Sequence, residues 1–230
     1  MEHASAQRLR IAIDAGTSVS ALLRAPAAPR AVFVFAHGAG AGMEHAFMEA
    51  FANGLAARGI ATLRFQFPYM ERGSKRPDAP KVAHAAVRAA VAEAAQRLPG
   101  VPLFAGGKSF GGRMTSQAQA LQPLPGVRGL VFVGFPLHPA GKPSDERAQH
   151  LREVACPLLF LQGTRDELAA LELLQPLVQR LGERASLVLL DDADHAFHVR
   201  VRSGRTDAQT QDAMVDAMAT WVRSVPPPAA

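Results

Sequence analysis

The chain predicts an α/β fold: a mainly parallel central sheet with an antiparallel hairpin at its N-terminal edge and helices on both faces. Three observations predict it. Segments 31–36, 60–66, 101–106, 128–134, 157–162 and 186–190 are apolar almost throughout, as strands covered on both faces are. Helical periodicity lies between most of them, and strands alternating with helices call for parallel pairing through crossovers. Ahead of these, two shorter strand-like runs, 9–13 and 19–23, flank Asp14, Ala15, Gly16 and Thr17, which is hairpin turn chemistry.

The helices follow from spacing and breakers. Segment 44–58 places Phe47, Phe51 and Leu55 on one stripe and stops at Gly59, a residue suited to a left-handed cap. Segment 81–98 aligns Val87, Val91, Ala94 and Leu98 before Pro99 and Gly100 end it. A third helix runs to Leu121 and meets Pro123, Pro125 and Gly126. In 168–182, Leu171, Leu174, Leu177 and Leu181 stand at helical spacing, but Pro176 among them predicts a kink or two short pieces. The last helix, 207–224, lines up Met214, Met218, Trp221 and Val225, and three prolines from Pro226 close it. No repeat or interdomain linker interrupts the rhythm, so residues 1–230 are expected to form one domain around one core.

Composition removes several classes. At 48% hydrophobic and 20% charged, the chain is neither disordered nor fibrous. No segment approaches the ~18–20 apolar residues of a membrane span, and residues 1–10 lack the apolar core of a signal peptide, so a cytoplasmic location is expected. Cys156, the single cysteine, stands before Pro157 and an apolar run, which suits packing and allows no internal disulfide. The formal charge is +5 and the sequence pI about 10.1. The positive residues are scattered, however, and aromatics make up only 6%, so neither nucleic acid nor a membrane is expected as a partner.

The chemistry concentrates at 103–113, where an apolar strand runs into Gly107, Lys108, Ser109, Phe110 and Gly111. This is a G-x-S-x-G elbow between a strand and a helix. Such a turn lifts a serine oxygen above the strand end, and its crowding leaves no room for side chains two residues to either side. A serine hydroxyl attacks only if a base takes its proton, an acid orients the base and backbone donors meet the developing oxyanion.

In an open α/β sheet the carboxyl ends of the strands share one edge, so these helpers are sought just beyond strand ends. Asp166, after 157–162, is the candidate acid, with Glu167 as its competitor; His195, after 186–190, is the candidate base, with His198 as its competitor. The segment 37–42, reading His-Gly-Ala-Gly-Ala-Gly, is a small-residue turn. It nominates the backbone N–H of Ala39, with Gly40 as the alternative, to join that of Phe110 as oxyanion donors. His37 is expected to hydrogen-bond beneath that turn. His138 faces the same edge and could touch substrate or brace its loop.

Segment 70–81 also follows a strand end, so Arg72, Lys75 and Arg76, with Lys108, could make the mouth electropositive, and Arg72 is a candidate substrate contact. A phosphate-binding loop is excluded because the position that needs its first glycine is Pro102. Asp191, Asp192, Asp194, His195 and His198 match no ligand spacing, so no metal or cofactor is expected.

These residues resemble the α/β-hydrolase superfamily over about 9–224. The segments Thr62 to Phe65, Gly106 to Arg113, Arg128 to Leu130 and Pro136 to Pro139 further resemble a dienelactone-hydrolase-related group, which includes the domain of the testis-expressed and NSL-complex subunit hydrolase-like proteins. The resemblance gives Ser109, Asp166 and His195 the nucleophile, acid and base positions. It implies an α/β-hydrolase fold and a serine hydrolase that cleaves a small or accessible carboxylic ester or thioester through an acyl-enzyme. Two other classes stand beside it: a hydrolase-like binding or scaffold domain without turnover, and a peptidase for short peptides. Larger members carry a lid where this chain has only 137–155, so a shallow, open site without a large lid is expected.

Overall fold

The apolar runs assemble into one eight-stranded sheet in a computed structural model that describes residues 5–226. The strands are β1 (Gln7–Ala12), β2 (Ser18–Arg24), β3 (Ala31–Ala36), β4 (Ile60–Phe65), β5 (Leu103–Lys108), β6 (Val127–Val133), β7 (Leu158–Gly163) and β8 (Ala185–Leu190). The helices are α1 (Ala46–Ala57), α2 (Pro68–Glu71), α3 (Pro80–Arg97), α4 (Phe110–Leu121), α5 (Leu171–Leu181) and α6 (Asp207–Ser224). Strand order is β1-β2-β4-β3-β5-β6-β7-β8. The hairpin β1–β2 and the β2–β4 pair are antiparallel, and every other pair is parallel.

Alternation along the strands feeds two cores. Phe33 and Phe35 of β3 join Phe51 and Leu55 of α1 and Met214, Met218 and Trp221 of α6 on one face. Val32 and Val34 join Val87 of α3, Met114 of α4 and Leu174 of α5 on the other. All of β3, β4 and β7 is buried, which explains why these strands read as apolar runs broken only by Thr62, Arg64, Gln162 and Gly163. Each fully buried large apolar side chain contributes about 1.5–3 kcal/mol.

Three departures from the sequence reading bear on the site. The strand expected at 101–106 begins at Leu103 and runs to Lys108, because Pro102 has no N–H to place in the ladder. Ser109 therefore follows the strand directly. Helix α5 is continuous through Pro176 and not split. The proline removes only the hydrogen bond to the Glu172 carbonyl, and buried Leu174, Leu177 and Leu181 hold the helix on the sheet. Helix α2, a single turn opened by Pro68, is too short for periodicity to reveal. Asp78 fastens it, accepting from the Tyr69 backbone N–H at 2.7 Å.

Between β6 and β7 the chain forms one 3₁₀ helix, Glu146–Glu153. It lies on α4, with buried Leu151 beneath it and His150 Nε2 2.8 Å from Ser116 Oγ, and forms no lid. Cys156 is partly buried against the core, and burial pushes its thiol up to about 11. Among the described residues no helix is long and apolar enough to cross a membrane.

Candidate active site

Strand β5 lies between β3 and β6 near the middle of the sheet and delivers Ser109 at its carboxyl end. Ser109 sits at φ 50°, ψ −114°, a conformation that costs a non-glycine residue about 1–3 kcal/mol. Neighbouring backbone enforces it. A Cβ on Gly111 would run into the Ala36 carbonyl and lie 2.6 Å from the His37 oxygen. One on Gly107 would also meet Ala36 and lie 2.8 Å from backbone atoms of Gly111 and Gly112. The two motif glycines are thus the places where β3, β5 and α4 meet with no side chain between them.

Around Ser109 the carboxyl edge gathers residues from distant parts of the chain. His195 Nε2 stands 2.9 Å from Ser109 Oγ, and His195 Nδ1 stands 2.7 Å from Asp166 Oδ2. Because the carboxylate accepts from Nδ1–H, Nε2 is left with a free lone pair facing the serine hydroxyl. Asp166 is immobilised in turn: Oδ1 accepts from the Leu168 N–H at 2.8 Å, and Oδ2 also accepts from Gln162 Nε2. Gln162 is itself fixed, its Oε1 accepting from the Phe135 N–H at 2.9 Å. The Asp166 side chain is fully buried, whereas the imidazole keeps 24% of its surface open. Glu167 is exposed and outside this chain of bonds. His198 pairs with Asp207 at the start of α6, at 2.6 Å, and that partner raises its affinity for a proton.

The small-residue turn after β3 lies beside the elbow. Gly40 donates its N–H to the Tyr69 hydroxyl at 3.2 Å and is thereby committed. Ala39 N–H and Phe110 N–H have no partner among the described residues. His37, fully buried, donates from Nδ1 to the Gly38 carbonyl at 2.8 Å and accepts the Phe67 N–H on Nε2 at 3.0 Å. Burial pulls its pKa down to about 4, so the ring is neutral. Beneath the turn, His37 meets Phe67 edge-on, and Phe110 meets Phe67 and Tyr69 edge-on, while Phe67 and Tyr69 stack.

One expectation about substrate contacts needs correction. His138 is buried, and both of its ring nitrogens are used: Nδ1 donates to the Pro139 carbonyl at 2.9 Å and Nε2 accepts the Ala170 N–H at 3.1 Å. It braces the loop that carries Asp166 and presents nothing to a substrate. Arg72 gives one guanidinium nitrogen to Asp78 at 2.6 Å and otherwise stays exposed at the rim.

The electropositive mouth is reduced further by Lys108, whose Nζ reaches inward to the His195 carbonyl at 2.6 Å and over the Phe197 ring. Lys75 and Arg76 remain exposed. The acidic residues near His195 build its loop. Asp194 accepts the Ala196 and His198 N–H groups at 2.8 and 2.9 Å, and Asp192 pairs with Arg200. Among the described residues no cluster of three or more His, Cys, Asp or Glu could hold a metal ion.

Tyr69, Gln162 and the inward course of Lys108 escaped the sequence reading. The same strand-end rule that selects His195 also reaches Tyr69, four residues past β4. Gln162, a polar residue inside the apolar run of β7, was a visible anomaly.

A parallel sheet with a strained serine turn at its centre, and acid- and base-bearing loops after its last two strands, defines the α/β-hydrolase class. The chain belongs to the alpha/beta hydrolase domain family, whose model matches residues 29–223. Among solved structures, it is similar to a lidless α/β serine hydrolase from Xanthomonas campestris (19% identity, TM-score 0.74, 98% of this chain and 99% of that one). It is also similar to a dienelactone hydrolase from Anabaena variabilis (19%, 0.75, 96% and 99%). The esterase domain of a Rhodothermus marinus protein matches at 18% and 0.72, over 97% and 98%. At these identities the likeness carries the fold.

Proposed function

We propose that this protein is a serine hydrolase that cleaves small or accessible carboxylic esters or thioesters through an acyl-enzyme. The observation that carries the reading is the continuous relay from Ser109 Oγ to His195 (2.9 Å) and from His195 to Asp166 (2.7 Å), set on a strained elbow. The likeness to a dienelactone hydrolase and to an esterase domain supports the ester class. The narrower likeness to the testis-expressed and NSL-complex subunit group rests on the segments Thr62 to Phe65, Gly106 to Arg113, Arg128 to Leu130 and Pro136 to Pro139.

In this mechanism His195 Nε2 takes the Ser109 proton as Oγ attacks the carbonyl carbon. The tetrahedral oxyanion is met by the N–H groups of Phe110 and Ala39, the two donors left unspent. Collapse breaks the bond to the alcohol or thiol, which leaves with the proton from His195. A water molecule, deprotonated by the same imidazole, then attacks the acyl carbon and releases the acid and Ser109. Asp166 holds the imidazole in the tautomer that accepts at Nε2 and stabilises the imidazolium between the two proton transfers. Solvent reaches His195 and Ser109 without a lid, which suits short acyl groups or esters presented on an accessible surface.

The test is labelling with a fluorophosphonate probe beside turnover of a panel of short-chain esters and thioesters. Wild type should label at Ser109 and hydrolyse at least one member. Ser109→Ala should abolish labelling and lower turnover by on the order of 10⁶ while leaving the melting temperature nearly unchanged. A wild-type protein that neither labels nor hydrolyses any of them is a binding or scaffold domain.

A further inference from the structure

Of the three groups in the relay, Ser109 is fixed by its own backbone and Asp166 by Gln162 and Leu168. The loop carrying His195 is closed by the Asp194 carboxylate, which accepts the Ala196 and His198 N–H groups on either side of Phe197, and the ring is held by Asp166. The His195 carbonyl is held from across the site. Lys108, the residue before the serine, extends from the end of β5 and donates from Nζ to the carbonyl oxygen of His195 at 2.6 Å. The same amine lies 5.1 Å from the centre of the Phe197 ring, so it grips the loop on both sides of Ala196.

Its path runs beside two glycines, and the second of them leaves room for the amine. A Cβ on Gly38 would lie 3.5 Å from Lys108 Cγ. One on Gly134, which follows β6 at φ 70°, would stand 3.2 Å from Nζ and 3.5–3.6 Å from the ring atoms Cε1 and Nδ1 of His195. Amine and imidazole thus share the pocket over Gly134.

We propose that Lys108 is a positioning residue: through the His195 carbonyl its amine holds the imidazole at hydrogen-bond distance from Ser109. The proposal rests on Ser109 being the nucleophile and His195 its base. It couples the nucleophile's strand to the base's loop through one side chain, so that the two cannot drift apart.

The charge of the amine enters the tether. The charged groups facing it are Asp166 from the loop after β7 and Asp194 with His195 from the loop after β8; from the turn after β3 the neutral His37 stands beside Gly38. Burial brings the Lys108 pKa down to about 8, against the opposing pull of the two aspartates. Below that pH the bond to the carbonyl is charge-assisted. Above it the amine is neutral and the bond falls to about half its strength. The expectation is an alkaline decline in reactivity centred near pH 8.

The rate of fluorophosphonate labelling of Ser109, measured from pH 6 to 10 with ester turnover alongside, tests this. Wild type should lose reactivity above about pH 8. Lys108→Met should slow labelling roughly 10–100-fold and lower kcat with KM little changed, the signature of a misplaced base. Lys108→Arg, which keeps the donor but does not titrate in this range, should recover most of the rate and lose the alkaline decline. Wild-type labelling that is flat from pH 7.5 to 9.5, or Lys108→Met labelling at the wild-type rate, overturns the proposal. That holds even if a variant fails to fold, because the wild-type profile needs no substitution. Failure of the hydrolase reading looks different, since wild-type Ser109 would then not label at any pH.

Discussion

The elbow and the loop that carries His195 face one another across 2.9 Å, yet they are built by different physics. The elbow is held by exclusion: backbone from β3, β5 and α4 closes around Gly107 and Gly111 until no other residue fits. The 191–199 loop is held by attachment. Asp194 caps its own turn, Asp192 pairs with Arg200, and Lys108 reaches the His195 carbonyl. A site made this way has one partner that cannot move without unfolding the sheet and one that moves if a few polar contacts weaken. Substitutions on the two sides should therefore fail differently, one in folding and the other in rate.

The sharpest contrast comes from Asp166 and Gly111. Asp166→Asn keeps the size of the residue, but with one acceptor oxygen in place of two it no longer stabilises the imidazolium or fixes its tautomer. Turnover on the best ester should fall about 10⁴-fold while the urea midpoint stays within experimental error of wild type. Gly111→Ala adds one carbon and should do the reverse. The Cβ meets Ala36 and His37, both main chain, so a central strand must shift, at a cost of about 3 kcal/mol or more. Its urea midpoint should drop sharply, and any folded fraction should still label with the probe. A Gly111→Ala protein as stable as wild type would remove exclusion as the account of the elbow.

The same division governs what the sequence made legible. The elbow was readable because exclusion needs glycine, and glycines two residues from a serine between a strand and a helix leave a short-range signature. Asp166 and His195 were readable because the sheet brings strand ends together, a rule that needs no knowledge of side-chain direction. Direction is what the sequence lacks. His138 stands at the right edge, but it spends both nitrogens on Pro139 and Ala170. Lys108 reads as a residue of the mouth because charged side chains usually seek water, and here it reaches the His195 carbonyl instead. The continuity of α5 through Pro176 was missed for a related reason, since the packing of Leu174, Leu177 and Leu181 outweighs one absent hydrogen bond.

The two sides should also part company with pH. His37, beneath the turn that abuts the elbow, has its pKa lowered from 6.5 to about 4 by burial. Between those values the unfolded chain binds a proton that the folded chain refuses, so stability is fully present above about pH 6.5 and is lost as pH falls toward 4. This one ring accounts for a loss of roughly 3 kcal/mol across that window. Lys108 acts on the other limb with the opposite consequence for the fold. Its lowered pKa means that the strain of burying a charge is present below about 8 and is relieved as pH rises toward 10.5. Urea titrations at pH 4.5, 7 and 9.5 should therefore show the lowest stability at the acid end, while ester turnover falls above pH 8 with no matching loss of fold. His37→Gln, an amide that can donate to the Gly38 carbonyl and accept the Phe67 N–H without titrating, should make the acid limb of stability shallower, the remainder coming from His150, which burial also lowers to about 4, and leave the alkaline limb of turnover as it was. If both limbs moved together in that variant, the elbow and the histidine loop would be one cooperative unit, and the separation between exclusion and attachment would not hold.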